Sequence, residues 1–260
     1  PKKEKKKTLY KEIAKSKQDA HKENNHEELD YEGLIYKKLS QEGPALAIAD
    51  VNGDGNEDLF IGGAKNQPAQ LYLHRGNGKF TQTEQVVFSE NMNFEDTAAA
   101  FFDIDGDQDL DLMVGSGGND VREQKTYRPR IYINDGAGNF SNYEKRLPST
   151  FKNIATISPS DFDGDGDIDV FIGSRSVVGV YGANPNHLFL ENLGDGTFID
   201  ATDKLAYDLK DAGMITASLW IDIDGDSKED LITISEWDTP KIYKNSGRRL
   251  SKMSSSLDSL

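Results

Sequence analysis

The 260-residue chain contains no cysteine, which rules out a disulfide framework and any inference of export from cysteine spacing. It has no apolar run of the roughly twenty residues that a membrane-spanning helix needs, and no leader with a basic start and an apolar centre. The sequence therefore reads as a mature or trimmed segment, with any lipid anchor lying outside it. Histidine is scarce: His21, His26, His74 and His187 are scattered. Neither a Gly-x-Ser-x-Gly elbow nor zinc-type spacing occurs, so no catalytic constellation and no cofactor-binding motif is found. What the chain has in excess is acid, with 45 Asp and Glu against 30 Lys and Arg and a formal net charge of −15.

Much of that acid lies in four nine-residue stretches. They read Asp50-Val51-Asn52-Gly53-Asp54-Gly55-Asn56-Glu57-Asp58, Asp103-Ile104-Asp105-Gly106-Asp107-Gln108-Asp109-Leu110-Asp111, Asp161-Phe162-Asp163-Gly164-Asp165-Gly166-Asp167-Ile168-Asp169 and Asp222-Ile223-Asp224-Gly225-Asp226-Ser227-Lys228-Glu229-Asp230. Their starts lie 53, 58 and 61 residues apart, so the repeat is a supersecondary unit.

Positions one, three, five and nine carry side-chain oxygens in every copy. Ca²⁺ is a hard cation that takes six to eight oxygens, which suits such a set. The seventh position holds Asn56, Asp109, Asp167 and Lys228. A lysine cannot ligate through its ammonium, so this position is expected to contribute its backbone carbonyl. Glycine fills the fourth position every time, where positive φ lets the loop curl.

An EF-hand is excluded, because it needs glycine at position six and a bidentate Glu at position twelve. Ordinary Asp-Gly hairpin turns explain one such loop but not four in register. Close carboxylates resist ionising together without a counter-cation, and about four Ca²⁺ are expected. Four such ions would bring the net charge to about −7, so most of the acidity is metal chemistry. No basic face appears in the repeats, and no nucleic-acid partner is expected.

Each loop runs into a short β-prone stretch (Leu59–Ile61, Leu112–Val114, Val170–Ile172, Leu231–Thr233) and is preceded by another. A hairpin follows, with an aliphatic-aromatic strand and a glycine turn, starting at Leu71, Ile131, Leu188 and Ile242. Four antiparallel strands per unit make an all-β protein of β-propeller blades.

In these residues the chain resembles the FG-GAP or VCBS repeats, the units of the integrin α-subunit propeller. The motif D-x-[DN]-x-D-G-x-x-D lacks only its second glycine, at Gln108 and Ser227. The stretches Leu39–Pro44 and Asp222–Trp237 are similar to large Bacteroidetes cell-envelope VCBS proteins related to cartilage acidic protein. The resemblance covers about residues 39 to 250. It implies calcium-binding blades on an exported, often lipid-anchored protein of the bacterial cell surface, and no known catalytic activity. Relatives usually close seven blades, so four blades are expected to form an arc of a larger propeller, the alternative being a closed four-bladed ring.

Residues 1–40 are expected to be a tether and lead-in, with eight Lys against two Glu in the first eighteen, and the repeats to occupy 41–96, 97–154, 155–212 and 213–260. Strand alternation puts the acidic loops and glycine hairpins on one face of the array and the second connections on the other. Those connections are long in the two middle repeats, 115–130 and 173–187, and carry Arg122, Tyr127, Arg128, Arg130, Arg175 and Tyr181. Arg and Tyr are frequent in binding hot spots, so these six are the candidate partner-binding residues, for another cell-envelope protein or a surface glycan. Trp237 is either a carbohydrate platform or blade packing, and Trp220 is expected in the core. The reading is an extracellular binding or scaffold module, a subunit of an outer-membrane surface complex; the alternative is part of a glycan-degrading envelope enzyme.

Overall fold

In the computed structural model, residues 21–143 and 146–253 are described; the expected Lys-rich tether lies outside them. Sixteen strands form four separate antiparallel sheets of four, each in simple sequential order. The first is β1 (Leu46–Ala49), β2 (Asp58–Ile61), β3 (Gln70–His74) and β4 (Phe80–Thr83), and the second β5 (Asp96–Phe102), β6 (Asp111–Ser116), β7 (Pro129–Asn134) and β8 (Phe140–Asn142). The third is β9 (Ile154–Ser160), β10 (Asp169–Ser174), β11 (Leu188–Asn192) and β12 (Phe198–Asp200), and the fourth β13 (Met214–Ile221), β14 (Asp230–Glu236), β15 (Lys241–Asn245) and β16 (Leu250–Lys252).

Each acidic loop joins the first strand of a sheet to the second, and its ninth residue is the first residue of that second strand. Register follows, since Ala49 pairs with Asp58, Phe102 with Asp111, Ser160 with Asp169 and Ile221 with Asp230. Pro159 is accommodated because β9 is an edge strand, where the missing amide interrupts no second ladder.

The sheets stack face to face, with β5 beside β1, β9 beside β5 and β13 beside β9. Three apolar clusters fill the interfaces. Phe60, Leu71 and Phe88 meet Leu112, Val114 and Tyr132 between the first two blades. Ala98, Met113 and Ile131 meet Ile157, Val170 and Leu190 between the middle pair. Phe162, Phe171 and Phe189 meet Trp220, Leu231 and Tyr243 between the last two. Trp220 is buried there, its Nε1–H donating to the Ser158 carbonyl at 2.9 Å. The outer faces of the two end blades are different: Leu46 and Ile48 on β1, and Leu219, Ile221 and Ile234 on the last blade, are exposed.

Residues 21–44 do more than lead into β1. They form a strap along the ends of the blades opposite the acidic loops. Ile35 and Leu39 pack against Tyr181 and Met214 in a small core of their own. Buried Glu32 accepts from Asn119 Nδ2 at 2.8 Å and from the Tyr181 amide at 2.9 Å. Glu42 pairs with Arg175 at 2.8 Å, and Glu28 accepts from the Ser40 amide at 2.9 Å. No described helix is long and apolar enough to cross a membrane.

Candidate metal centres and the opposite face

The loops are shaped locally. The position-one carboxylate receives amides of its own loop, Gly106 and Gln108 at Asp103 (2.8 and 3.0 Å), Gly164 at Asp161 (2.9 Å), and Gly225 and Ser227 at Asp222 (both 2.8 Å). The position-five carboxylate receives the position-seven amide at 2.9, 2.9, 2.9 and 3.0 Å through the four loops. The fourth residue is glycine at φ +67°, +82°, +79° and +77°. At position six, Gln108 and Ser227 adopt the same left-handed backbone, with φ 75° and 68°. The turn is thus imposed where the motif's second glycine is missing, at the cost of a strained L-residue.

The ninth residue does double duty. In the second loop Asp111 accepts the Ile104 amide at 3.0 Å and, from the third strand, the Asn134 amide at 2.8 Å. Asp58 does the same with Val51 and His74, and Asp230 with Ile223 and Asn245. Asp169 accepts the Asn192 amide at 2.9 Å. The loops are also tied between blades. Asn134, Asn192 and Asn245 donate through Nδ2 to the Val51, Ile104 and Phe162 carbonyls of the preceding blade's loop, at 2.7, 2.9 and 2.8 Å.

Carboxylates converge in three of the loops. One oxygen each from Asp103, Asp105 and Asp111, from Asp161, Asp163 and Asp165, and from Asp222, Asp224 and Asp230 lie within 4.8 Å of one another. In the first loop Asn52 replaces one carboxylate, and Asp50 and Asn52 both accept the Asp54 amide, at 3.1 and 3.0 Å. The position-seven side chains of Asp109 and Asp167 lie over the hairpin glycines of their own blades, where a Cβ on Gly136 or Gly194 would come within 2.5 Å of the carboxylate.

These groups fit a hard cation. Asp105 Oδ1 is buried without a hydrogen-bond partner inside its cluster, and such an orphaned oxygen needs an ion or water. Burial, with neighbouring carboxylates adding to it, pushes Asp111 and Asp169 up to about 7 and raises Asp105 and Asp163. The second and third loops therefore concentrate negative charge, and among the described residues no lysine or arginine is ion-paired inside either cluster; Arg146 only tempers the rise at Asp105 from a distance.

The fourth loop differs. Lys244 on β15 places its ammonium 2.5 Å from Asp224, 2.8 Å from Asp226 and 3.6 Å from Asp230. Burial works against that charge, but the three carboxylates outweigh it and raise the lysine, while the Lys244 contact lowers Asp226. Leu73 and Ile133 hold the equivalent place on β3 and β7 and Glu191 on β11, each one residue before the end of the third strand. An internal cation thus stands where the motif invites an external one.

On the opposite face, four of the six residues expected to meet a partner are turned inward. Arg130 is 2 % exposed. It is ion-paired to Asp96, bonded to Ser116 Oγ and Tyr132 Oη at 3.1 and 2.8 Å, and stacked over Phe94. Arg175, 4 % exposed, is clamped between Glu42 of the strap and Glu236 of β14. Tyr127 is buried with its hydroxyl on the Asp120 backbone, and Tyr181 is buried beneath the strap. The long connections carry Arg and Tyr because a strap must be held and buried acids matched. Arg122 remains largely exposed, paired with Asp120 at 2.6 Å, and Arg128 is half-buried over Phe94.

The exposed aromatic surface lies elsewhere on the same face. Leu34, Tyr36 and Trp237 are 66 %, 66 % and 62 % exposed. Trp237 meets Tyr181 edge to face at 5.1 Å, and both it and Leu34 flank Gly182. Trp237 also has φ 66°, a rare conformation for a bulky residue. The sequence does not mark Leu34 and Tyr36 as contact residues, since only the strap's path brings Leu34 to Gly182 beside Trp237 and the Tyr36 hydroxyl to Glu236.

Residues 50–114 and 115–172 match the FG-GAP-like repeat family. Among solved structures, the chain is similar to the biofilm matrix protein Bap1 of V. cholerae, at 16 % identity and a TM-score of 0.35, over 84 % of this chain and 32 % of that one. It therefore spans about a third of the Bap1 chain. It is also similar to BBS1N, solved in complex with ARL6DN, at 10 % identity and a TM-score of 0.31, over 85 % of this chain and 84 % of that one.

Proposed function

We propose that this protein of FG-GAP-like repeats is an extracellular, calcium-stabilised β-propeller module that acts by binding rather than catalysis. Its contact surface is the face opposite the acidic loops. The observation that carries the reading is the carboxylate cluster with no ion-paired cation inside it, repeated in the second and third loops and leaving the Asp105 oxygen of the second orphaned. All-oxygen donor sets suit Ca²⁺, and loop sites of moderate affinity are filled at millimolar extracellular calcium. The ligands are Asp50, Asn52, Asp54 and Asp58 in the first loop, Asp103, Asp105, Asp107 and Asp111 in the second, and Asp161, Asp163, Asp165 and Asp169 in the third, with the carbonyls of Asn56, Asp109 and Asp167. The fourth loop, with Asp222, Asp224, Asp226, Asp230 and the Lys228 carbonyl, takes calcium only by displacing Lys244.

The exposed apolar faces of the end blades support an arc that further blades complete, as part of a surface complex of the bacterial envelope. The partner, a cell-envelope protein or surface glycan, is met through Trp237, Tyr36 and Leu34, an aromatic platform of the kind that anchors interfaces and sugars. The test is a double variant, Tyr36→Ala with Trp237→Ala, assayed on glycan arrays and by recovery of envelope partners in millimolar calcium. Binding should be lost while calcium-dependent melting is unchanged. Undiminished binding places the contact elsewhere, and absence of calcium uptake by the wild type removes the reading itself.

A further inference from the structure

A second kind of metal-ligating cluster lies away from the acidic loops, where the strap crosses from the first blade to the second. His21, Glu23 and Glu95 each offer one donor atom within 4.8 Å of the others, and His21 Nε2 lies 3.5 Å from Glu23 Oε1. Glu95 is only 4 % exposed. Its Oε2 is fixed by Asn24 Nδ2 and the Lys65 amide, both at 3.1 Å. Its Oε1 is buried without a hydrogen-bond partner, as is His21 Nε2. Gly43 backs the pair, since a Cβ there would be 3.6 Å from both His21 Cε1 and Glu95 Oε1. Glu23 and Glu95 also line a cleft of ≈ 460 Å³ between the strap and the connections at Lys65 and Gly117.

We propose that His21, Glu23 and Glu95 form a binding site for a divalent transition metal ion of the Zn²⁺ type, distinct from the calcium loops. The donor chemistry separates the two: Ca²⁺ takes oxygen ligands, whereas an imidazole nitrogen with carboxylates suits Zn²⁺ and its neighbours. Bond lengths of roughly 2.0–2.2 Å put tetrahedral donors about 3.4 Å apart. The His21–Glu23 separation is already there, and Glu95 Oε1 closes the rest by a side-chain adjustment. A divalent ion neutralises the two carboxylates and satisfies both orphaned atoms. The bonds from Asn24 and Lys65 to Glu95 Oε2 are the kind of outer support that orients a metal-bound carboxylate. Three protein donors leave a position for water on the cleft side. Because two ligands are on the strap and one is on the connection before β5, the ion pins the strap to the blades.

The experiment is calorimetric titration of the full chain with Zn²⁺ while the loops are held in millimolar Ca²⁺, on the wild type and on His21→Ala, Glu95→Gln, His26→Ala and His74→Ala. One Zn²⁺ per chain is expected, with affinity reduced about tenfold or more by His21→Ala and Glu95→Gln and unchanged by the other two. His21→Ala removes a ring that is partly exposed on the strap, so it tests ligation even where Glu95→Gln disturbs folding. Absence of saturable Zn²⁺ binding, or binding that His21→Ala leaves intact because Zn²⁺ enters the loops, overturns the proposal.

Discussion

The second and fourth acidic loops share the same spacing, the same glycine at position four and the same tie from the ninth residue to the third strand. They differ in what faces their carboxylates. In the second, Asp103, Asp105 and Asp111 converge on an orphaned Asp105 oxygen, and Asp111 is pushed up to about 7. In the fourth, the Lys244 ammonium sits among Asp224, Asp226 and Asp230 and lowers Asp226. One motif therefore specifies a cage of negative charge, while a single residue on the third strand decides whether the counter-charge comes from solution or from the chain.

The sharpest break of that comparison is at the ninth position. Asp111→Ala removes two buried acceptors and strands the Ile104 and Asn134 amides, and should cost about 3 kcal/mol or more. Because this is a bonding role, the loss should persist in chelator when followed by denaturant unfolding. Asp107→Ala, whose oxygen serves only its own loop's Asp109 amide, should instead lose most of its effect once calcium is removed.

Calcium itself comes next. Each loop that binds only in the folded state adds about 2.7 kcal/mol at a hundred times Kd. Chelation should therefore lower the melting temperature, and Asp165→Ala should blunt that shift far more than Asp226→Ala. Lys244→Met should raise the number of calcium ions bound per chain from three to four by equilibrium dialysis. A count of four in the wild type would erase the distinction between the loops.

The pH dependence sharpens the comparison further. With folded-state values near 7, above the ordinary 3.8 of an unfolded Asp, Asp111 and Asp169 favour the metal-free fold when protonated. That contribution is fully present below about pH 4 and is lost as pH rises through 7. Calcium requires both groups ionised, so its binding should release protons near pH 7 and weaken from pH 8 to 6 in the second and third loops. Calorimetry in buffers of different ionisation enthalpy reads the proton release.

The smallest expected effect is at position six. Gln108→Gly relieves a side chain held at φ 75° and should stabilise the protein by about 0.5–1 kcal/mol, with calcium stoichiometry unchanged. Destabilisation would mean that the Gln108 side chain contributes more than its backbone strain costs.

Much of the architecture was legible because it is local. The blade strands appear as short apolar runs on either side of each loop, although β6, β10 and β14 extend to Asp111–Ser116, Asp169–Ser174 and Asp230–Glu236, beyond the expected Leu112–Val114, Val170–Ile172 and Leu231–Thr233. The partner face was less legible. Arg130, Arg175, Tyr127 and Tyr181 look like contact residues in a linear reading, because nothing in their neighbourhood announces Asp96, Glu42, Glu236 or the strap. The composition of a long connection does not reveal whether its charged groups face solvent or a buried acid.

The sequence alone determined the four oxygen-rich loops, since nine consecutive residues with glycine at position four impose donor spacing through backbone geometry that no distant contact supplies. It also determined the order of strands within each blade, through the alternation of apolar runs and turns. Only the tertiary structure decided which cluster stays uncompensated, which arginines are buried, and that His21, Glu23 and Glu95 meet. Those outcomes depend on pairs far apart in sequence, Lys244 with Asp224, Arg175 with Glu42, Glu95 with His21. Their proximity is set by sheet register, blade stacking and the path of the strap, and local propensity carries no record of these.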